Sequence, residues 1–127
     1  MRLKSFSLAF GMPVFKALSD EARVRILNLL IEKKEMCITD LEHILDFTQT
    51  KTSRHLVYLK NSGIVNIRKE NQWVFYSIRE EVHDFISQVL SFVKKDPMLV
   101  SDLDSYEIMY SNRELAAYKI QSRKYMA

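Results

Sequence analysis

Gln49, Thr50, Ser53 and Arg54 bring an amide, two hydroxyls and a guanidinium within six residues of one another. The set donates and accepts hydrogen bonds in several directions and holds no nucleophile beside a base, so its chemistry is recognition. An amide can read a base edge, adenine in the case of Gln49, while Arg54 suits guanine or a phosphate and the two hydroxyls suit either kind of partner. Between and beyond them Thr52, His55, Leu56 and Leu59 recur at helical spacing, which predicts a helix over 49–61 with a polar face and a buried one. Thr48 is a good N-cap for it, and Gly63 stands where a left-handed C-terminal residue belongs.

The neighbouring segments must hold that helix in place. Before it, Thr39 is the expected cap of a short helix carrying Leu41, Ile44 and Leu45, and Asp46-Phe47 makes a tight connection, giving helix, turn, helix. After it, Ile64–Lys69 and Trp73–Ile78 are rich in β-branched and aromatic residues, with Glu70, Asn71 and Gln72 as a polar hairpin tip. A helix-turn-helix followed by a hairpin is a winged helix, mostly α with a small β wing. Between Thr48 and Gln72 five cations, Lys51, Arg54, Lys60, Arg68 and Lys69, face Glu70 alone, a local excess of +4 that leaves −1 for the rest of the chain. Positive charge gathered on such a unit is the footprint of a double-stranded DNA partner, because each phosphate neutralised releases counterions. The expected DNA-contacting residues are Thr48, Gln49, Thr50, Lys51, Ser53 and Arg54 on the helix and Arg68, Lys69, Asn71 and Gln72 on the wing.

Residues 14–78 resemble the ArsR-type winged-helix transcriptional repressors. Phe15-Lys16-Ala17-Leu18-Ser19-Asp20 leading into Arg23-Val24-Arg25-Ile26-Leu27 looks like that family's junction between its first two helices. Ser53-Arg54-His55-Leu56, Leu59-Lys60 and Gly63-Ile64-Val65 look like its recognition helix and exit, and Trp73–Ile78 like its second wing strand. The resemblance implies a homodimeric repressor bound at an inverted-repeat operator, dimerising through its first and last helices. Arsenic-sensing members carry a Cys-Val-Cys-Asp-Leu motif where this chain has Cys37-Ile38-Thr39-Asp40-Leu41, so one cysteine of the pair is Thr39. Trivalent arsenic, lead and cadmium need several thiolates, and this chain has one cysteine in total. Cys37 is expected to behave as a small buried hydrophobe, with a redox switch as the alternative reading if it is exposed. Zinc-sensing members place Asp and His ligands on the last dimer helix; here those positions fall on Val82 and Val93, and His83 has no second histidine beside it. No metal, no cofactor and no identified effector follow from the residues, and His43 and His55 are expected to pack inside the reading unit.

Composition agrees with a small soluble regulator. The chain has 127 residues, 47% apolar and 28% charged, which is globular composition, and only two Gly and two Pro, which favours helix. No apolar run approaches the roughly 18 residues needed to cross a bilayer. The short Phe6–Phe10 stretch lacks the rest of a signal peptide, so a cytoplasmic location without membrane contact is expected. A catalytic reading would pair Cys37 with His43 or His83, yet no glycine-rich phosphate loop or exposed nucleophile turn accompanies them, so an enzyme is not expected. The rival class is a winged helix used for protein assembly, which has no reason to keep the polar face of Gln49, Thr50, Ser53 and Arg54 beside a basic wing.

The scaffold divides into a winged helix-turn-helix and dimerisation domain over 1–95 and a helical extension over 96–127 packed on it. Ser19 is the expected cap of a helix with Ala22, Ile26, Leu29 and Leu30 inward, and Met36-Cys37-Ile38 a small strand pairing with the wing. A helix over 80–94 presents Val82, Phe85, Ile86, Val89, Leu90 and Val93. In the extension two helices, 97–109 and 112–125, are expected to dock as a hairpin with Leu99, Leu103, Leu115 and Ile120 inward, adding dimer surface. The alternatives are a basic tail on flanking DNA or a lid over an effector pocket.

Overall fold

Four of the six helices among the described residues begin where a polar side chain takes up a free backbone N–H. In the computed structural model, which describes residues 5–118, α1 (Leu8–Ala17) is capped by Ser7, whose hydroxyl accepts from the Phe10 N–H. α2 (Glu21–Lys33) is capped by Asp20, whose carboxylate accepts from the Arg23 N–H at 3.1 Å. Ser19, the expected cap, instead donates its hydroxyl to the Lys16 carbonyl. The start is one residue later because Asp20 is the residue with extended backbone and an acceptor facing the first turn.

β1 (Glu35–Cys37) leads without a gap into α3 (Ile38–Leu45), so the strand starts one residue, and the helix with its cap two residues, before the expected positions. Cys37 is the N-cap and makes no side-chain capping bond, while Thr39 lies inside the first turn. Ile38 favours strand by its β-branched side chain, but in place it is partly buried against the core, and tertiary packing outweighs propensity. Asp46, at φ 56°, makes the turn into α4 (Gln49–Asn61), whose limits match the sequence expectation.

β2 (Val65–Glu70) and β3 (Trp73–Ile78) form the wing hairpin, with Glu70 opposite Trp73 and Asn71 and Gln72 at the tip. Asn71 takes the left-handed conformation, at φ 57°, that a two-residue hairpin loop demands of its first residue. β1 pairs antiparallel with the other edge of β3, giving the order β1-β3-β2, so the strand before the helix-turn-helix anchors the wing behind it.

α5 (Glu80–Ser91) stops three residues before the expected end, and turns carry the chain to Asp96. Val82, Ile86 and Leu90 are its buried stripe, while Val93 remains 44% exposed. Asp96 caps α6 (Pro97–Ser111), two residues longer than expected. Arg113, at φ 59°, then reverses the chain, and helical backbone resumes at 116 rather than 112. Ile120 lies outside the described residues.

The core centres on α2, where Ile26, Leu27, Leu29 and Leu30 are buried against Leu41, Leu56, Leu59, Ile64, Val82 and Ile86. Each such side chain contributes about 1.5–3 kcal/mol by leaving water. α6 lies on α2 and α3 of its own chain. Arg25 on α2 makes a two-pronged bond to Asp102 on α6 at 2.9 and 3.0 Å, and Lys33 reaches Glu107. The carboxylate of Asp40 on α3 accepts from the backbone N–H groups of Ala116 and Ala117. Leu99 and Leu115 are buried and Leu103 is partly so; the described part of the extension, up to residue 118, covers its own chain's α2–α3 face.

Candidate nucleic-acid interface

α4 owes its orientation to both of its ends and its inner face. Thr48 accepts the Lys51 N–H at 3.1 Å through its hydroxyl, which fixes the first turn. At the other end Gly63, at φ 77°, lets its N–H reach the Lys60 carbonyl and the Ile64 N–H reach the Leu59 carbonyl, closing the helix and turning the chain into the wing. Thr52, His55, Leu56 and Leu59 are all buried. Thr52 keeps its hydroxyl satisfied by donating to the Thr48 carbonyl.

The other face is open. Gln49, Thr50, Lys51, Ser53 and Arg54 are exposed, with Gln49 at the first helical position and Thr50, Ser53 and Arg54 farther along the outward side. None of Gln49, Thr50, Ser53 and Arg54 lies beneath another element. Lys51 leans back over Phe47, its ammonium 4.1 Å from the ring centroid, so the turn residue steadies the first cation of the helix. Tyr58, farther along, lies under the Arg23 guanidinium at 4.0 Å, and the same Arg23 donates to the Ala17 and Lys16 carbonyls. Arg23 thus joins the end of α1 to the flank of α4.

His55 lies against Asp20. Burial lowers its pKa, the Asp20 carboxylate opposes that, and Arg23, Arg54 and Lys51 reinforce it, so the ring stays neutral at pH 7. His43, expected to pack in the same unit, is exposed on α3 because its neighbours Ile44 and Leu45 take the inward positions.

On the wing, Lys69, Asn71 and Gln72 are exposed at the end of the hairpin. Arg68 differs from the free cation that a count of charges assumes. Its guanidinium makes two bonds to Glu35 of β1, at 2.8 and 3.0 Å, approaches Glu70 at 3.6 Å, and lies over Phe75 at 4.4 Å. Sequence reasoning misses this because Glu35 is 33 residues away in the chain and comes alongside only when β1 joins the sheet.

Cys37 is fully buried with Phe75 and Ala116, and Ile38, Trp73 and Ala117 pack around it. The exposure that a redox sensor requires is lacking in this arrangement. Among the described residues no group of three or more His, Cys, Asp and Glu side chains is placed to hold a metal ion, and no helix is long and apolar enough to cross a membrane.

This arrangement has relatives. Residues 20–66 match the family model described as bacterial regulatory protein, arsR family, a span from the cap of α2 to the start of the wing. The arsenical resistance operon repressor of Escherichia coli K12 is 38% identical over 85 residues, covering 65% of this chain and 73% of that protein. The arsenic resistance transcriptional regulator ArsR1 of Pseudomonas putida is 39% identical over 80 residues, covering 63% of this chain and 62% of its own length. The match therefore spans about three fifths of that relative. Among solved structures, the homodimeric winged helix-turn-helix DNA-binding domain of a Mycobacterium bovis protein superposes with a TM-score of 0.63 at 28% identity, covering 69% of this chain and 82% of that one. Sequence relatives and solved fold agree with the elements described above, and the chain belongs to the arsR family of bacterial transcriptional regulators, with a winged helix-turn-helix fold.

Proposed function

We propose that the protein is a homodimeric, sequence-specific repressor that binds an inverted-repeat operator in double-stranded DNA. The observation that carries this reading is α4: a helix capped at both ends, buried along one side, with amide, hydroxyl and guanidinium groups exposed along the other. Such a helix enters a major groove with its N-terminal residues against base edges, and two copies related by a two-fold axis sit about 34 Å apart. Gln49 reads a base, Thr50 and Ser53 bond to bases or phosphates, Arg54 takes guanine or phosphate, and Thr48 and Lys51 contact the backbone. Lys69, Asn71 and Gln72 rest the wing on flanking phosphates or the minor groove, and Arg68 keeps the wing fixed to β1. The protein acts in the cytoplasm and catalyses nothing. Its release signal does not follow the several-thiolate chemistry of the metal sensors, since Cys37 is the sole cysteine.

Selection of bound sequences from a random duplex library tests this. The expected result is an inverted repeat bound about 10³-fold or more tightly than scrambled DNA. Gln49→Ala then costs about 1–3 kcal/mol on that site and little on random sequence. Uniform, salt-sensitive binding to every duplex would leave only a basic surface.

A further inference from the structure

The polar residues are not the whole of the outward face of α4. Val57 follows Thr50 by seven residues, Ser53 by four and Arg54 by three, which places it on the same side of the helix, one turn beyond them. Its side chain is 52% exposed and belongs to neither hydrophobic cluster. The other apolar residues of α4 are accounted for: Leu56 and Leu59 are in the core, and Tyr58 lies under Arg23. A β-branched residue also has no advantage at an exposed position in a helix, where it loses rotamer freedom.

We infer that Val57 reads the 5-methyl group of a thymine in the major groove. The inference rests on the proposed operator binding and adds to it a specificity determinant. The groove offers one apolar feature among its hydrogen-bonding groups, the thymine methyl, and an aliphatic side chain is its natural complement. Thr50, Ser53 and Arg54 bring the helix face against the base edges, and Val57, one turn farther in, meets the next accessible pair. A cytosine there presents an amino group that Val57 cannot pair, so the residue selects by burying a methyl and by leaving a polar group unsatisfied in the wrong sequence.

The test replaces each thymine of the selected operator in turn by deoxyuracil, which removes only the methyl group, and titrates the wild-type protein and Val57→Ala. One thymine in each half-site is expected to respond, its replacement weakening wild-type binding about four-fold per half-site, the factor that burial of one methyl supplies. Val57→Ala binds the thymine operator more weakly and binds the thymine and deoxyuracil forms equally. Wild-type binding that is indifferent to every replacement would overturn the inference while leaving operator recognition standing, as would a Val57→Ala protein that still responds at the same thymine. Failure to select any sequence would remove both. Val57 is exposed, so the variant keeps the core intact, and an unchanged melting temperature confirms it.

Discussion

At the scale of single residues, formal charge and available charge part company. Arg68 and Lys69 are adjacent and both exposed, yet Arg68 is bound to Glu35 and flanked by Glu70, and those carboxylates hold its guanidinium firmly in the charged state. The side-chain bond to Glu35 is the principal cause of the raised pKa. A cation already paired with carboxylates releases few phosphate counterions, whereas Lys69 makes no such pair among the described contacts. The slope of log affinity against log salt separates the two. Lys69→Ala is expected to reduce the slope by about one, as for one lost phosphate contact. Arg68→Ala is expected to leave the slope nearly unchanged while loosening the wing, because it frees Glu35 beside β3. A slope that falls by one in Arg68→Ala would show the guanidinium leaving Glu35 for a phosphate.

At the scale of elements, what the sequence discloses depends on whether the cause is local. α4 and β3 are legible to the residue because caps, a glycine in the left-handed region and periodic burial all act within a few positions of each other. At the junction of β1 and α3 the strand is displaced by one residue and the helix by two, because Ile38 is placed by its contacts with the core rather than by its own preference. The fate of the extension was illegible for the same reason: Asp40 and Ala116 are 76 residues apart, and nothing in either suggests the other. Asp40 is 2% exposed and holds two consecutive N–H groups, so it pins the segment at Ala116 and Ala117 across α3, where these two residues cover Cys37. Asp40→Ala leaves those N–H groups without their acceptor and is expected to let the segment lift away. Cys37 should then react with a maleimide at least ten-fold faster than in the wild-type protein, while a fold intact by circular dichroism excludes global unfolding. An unchanged labelling rate would mean that the apolar contacts of Leu115 and Ala116 suffice to hold the segment.

At the scale of the whole molecule, the helical layer has two apolar faces, and the chain covers one of them itself. α6 lies over α2 and α3, with Asp102 bound to Arg25 and Leu99 buried, and the Arg25 guanidinium also lies 5.1 Å from the ring centroid of Phe47 in the turn of the reading unit. The extension is therefore continuous with the core that supports α4, and its removal would take Asp102 from Arg25 while opening the arginine to water. The other face is uncovered. Leu8, Met12 and Phe15 are 78%, 45% and 50% exposed at helical spacing along α1, and Phe92, just past α5, is 84% exposed. An apolar surface of this kind marks an interaction site, and a second copy of the chain fits the proposed two-fold operator. Leu8→Asp combined with Phe92→Asp alters only side chains that already face outward, so the single chain should fold as before. Sedimentation is expected to find it monomeric, and its affinity for the full inverted repeat should fall at least 100-fold, towards that for a half-site, because the second recognition helix is no longer tethered to the first. If the doubly substituted protein sediments as a dimer and keeps its affinity, the two copies meet elsewhere, and the exposed residues of α6, Val100, Ile108 and Tyr110, become the surface that joins them.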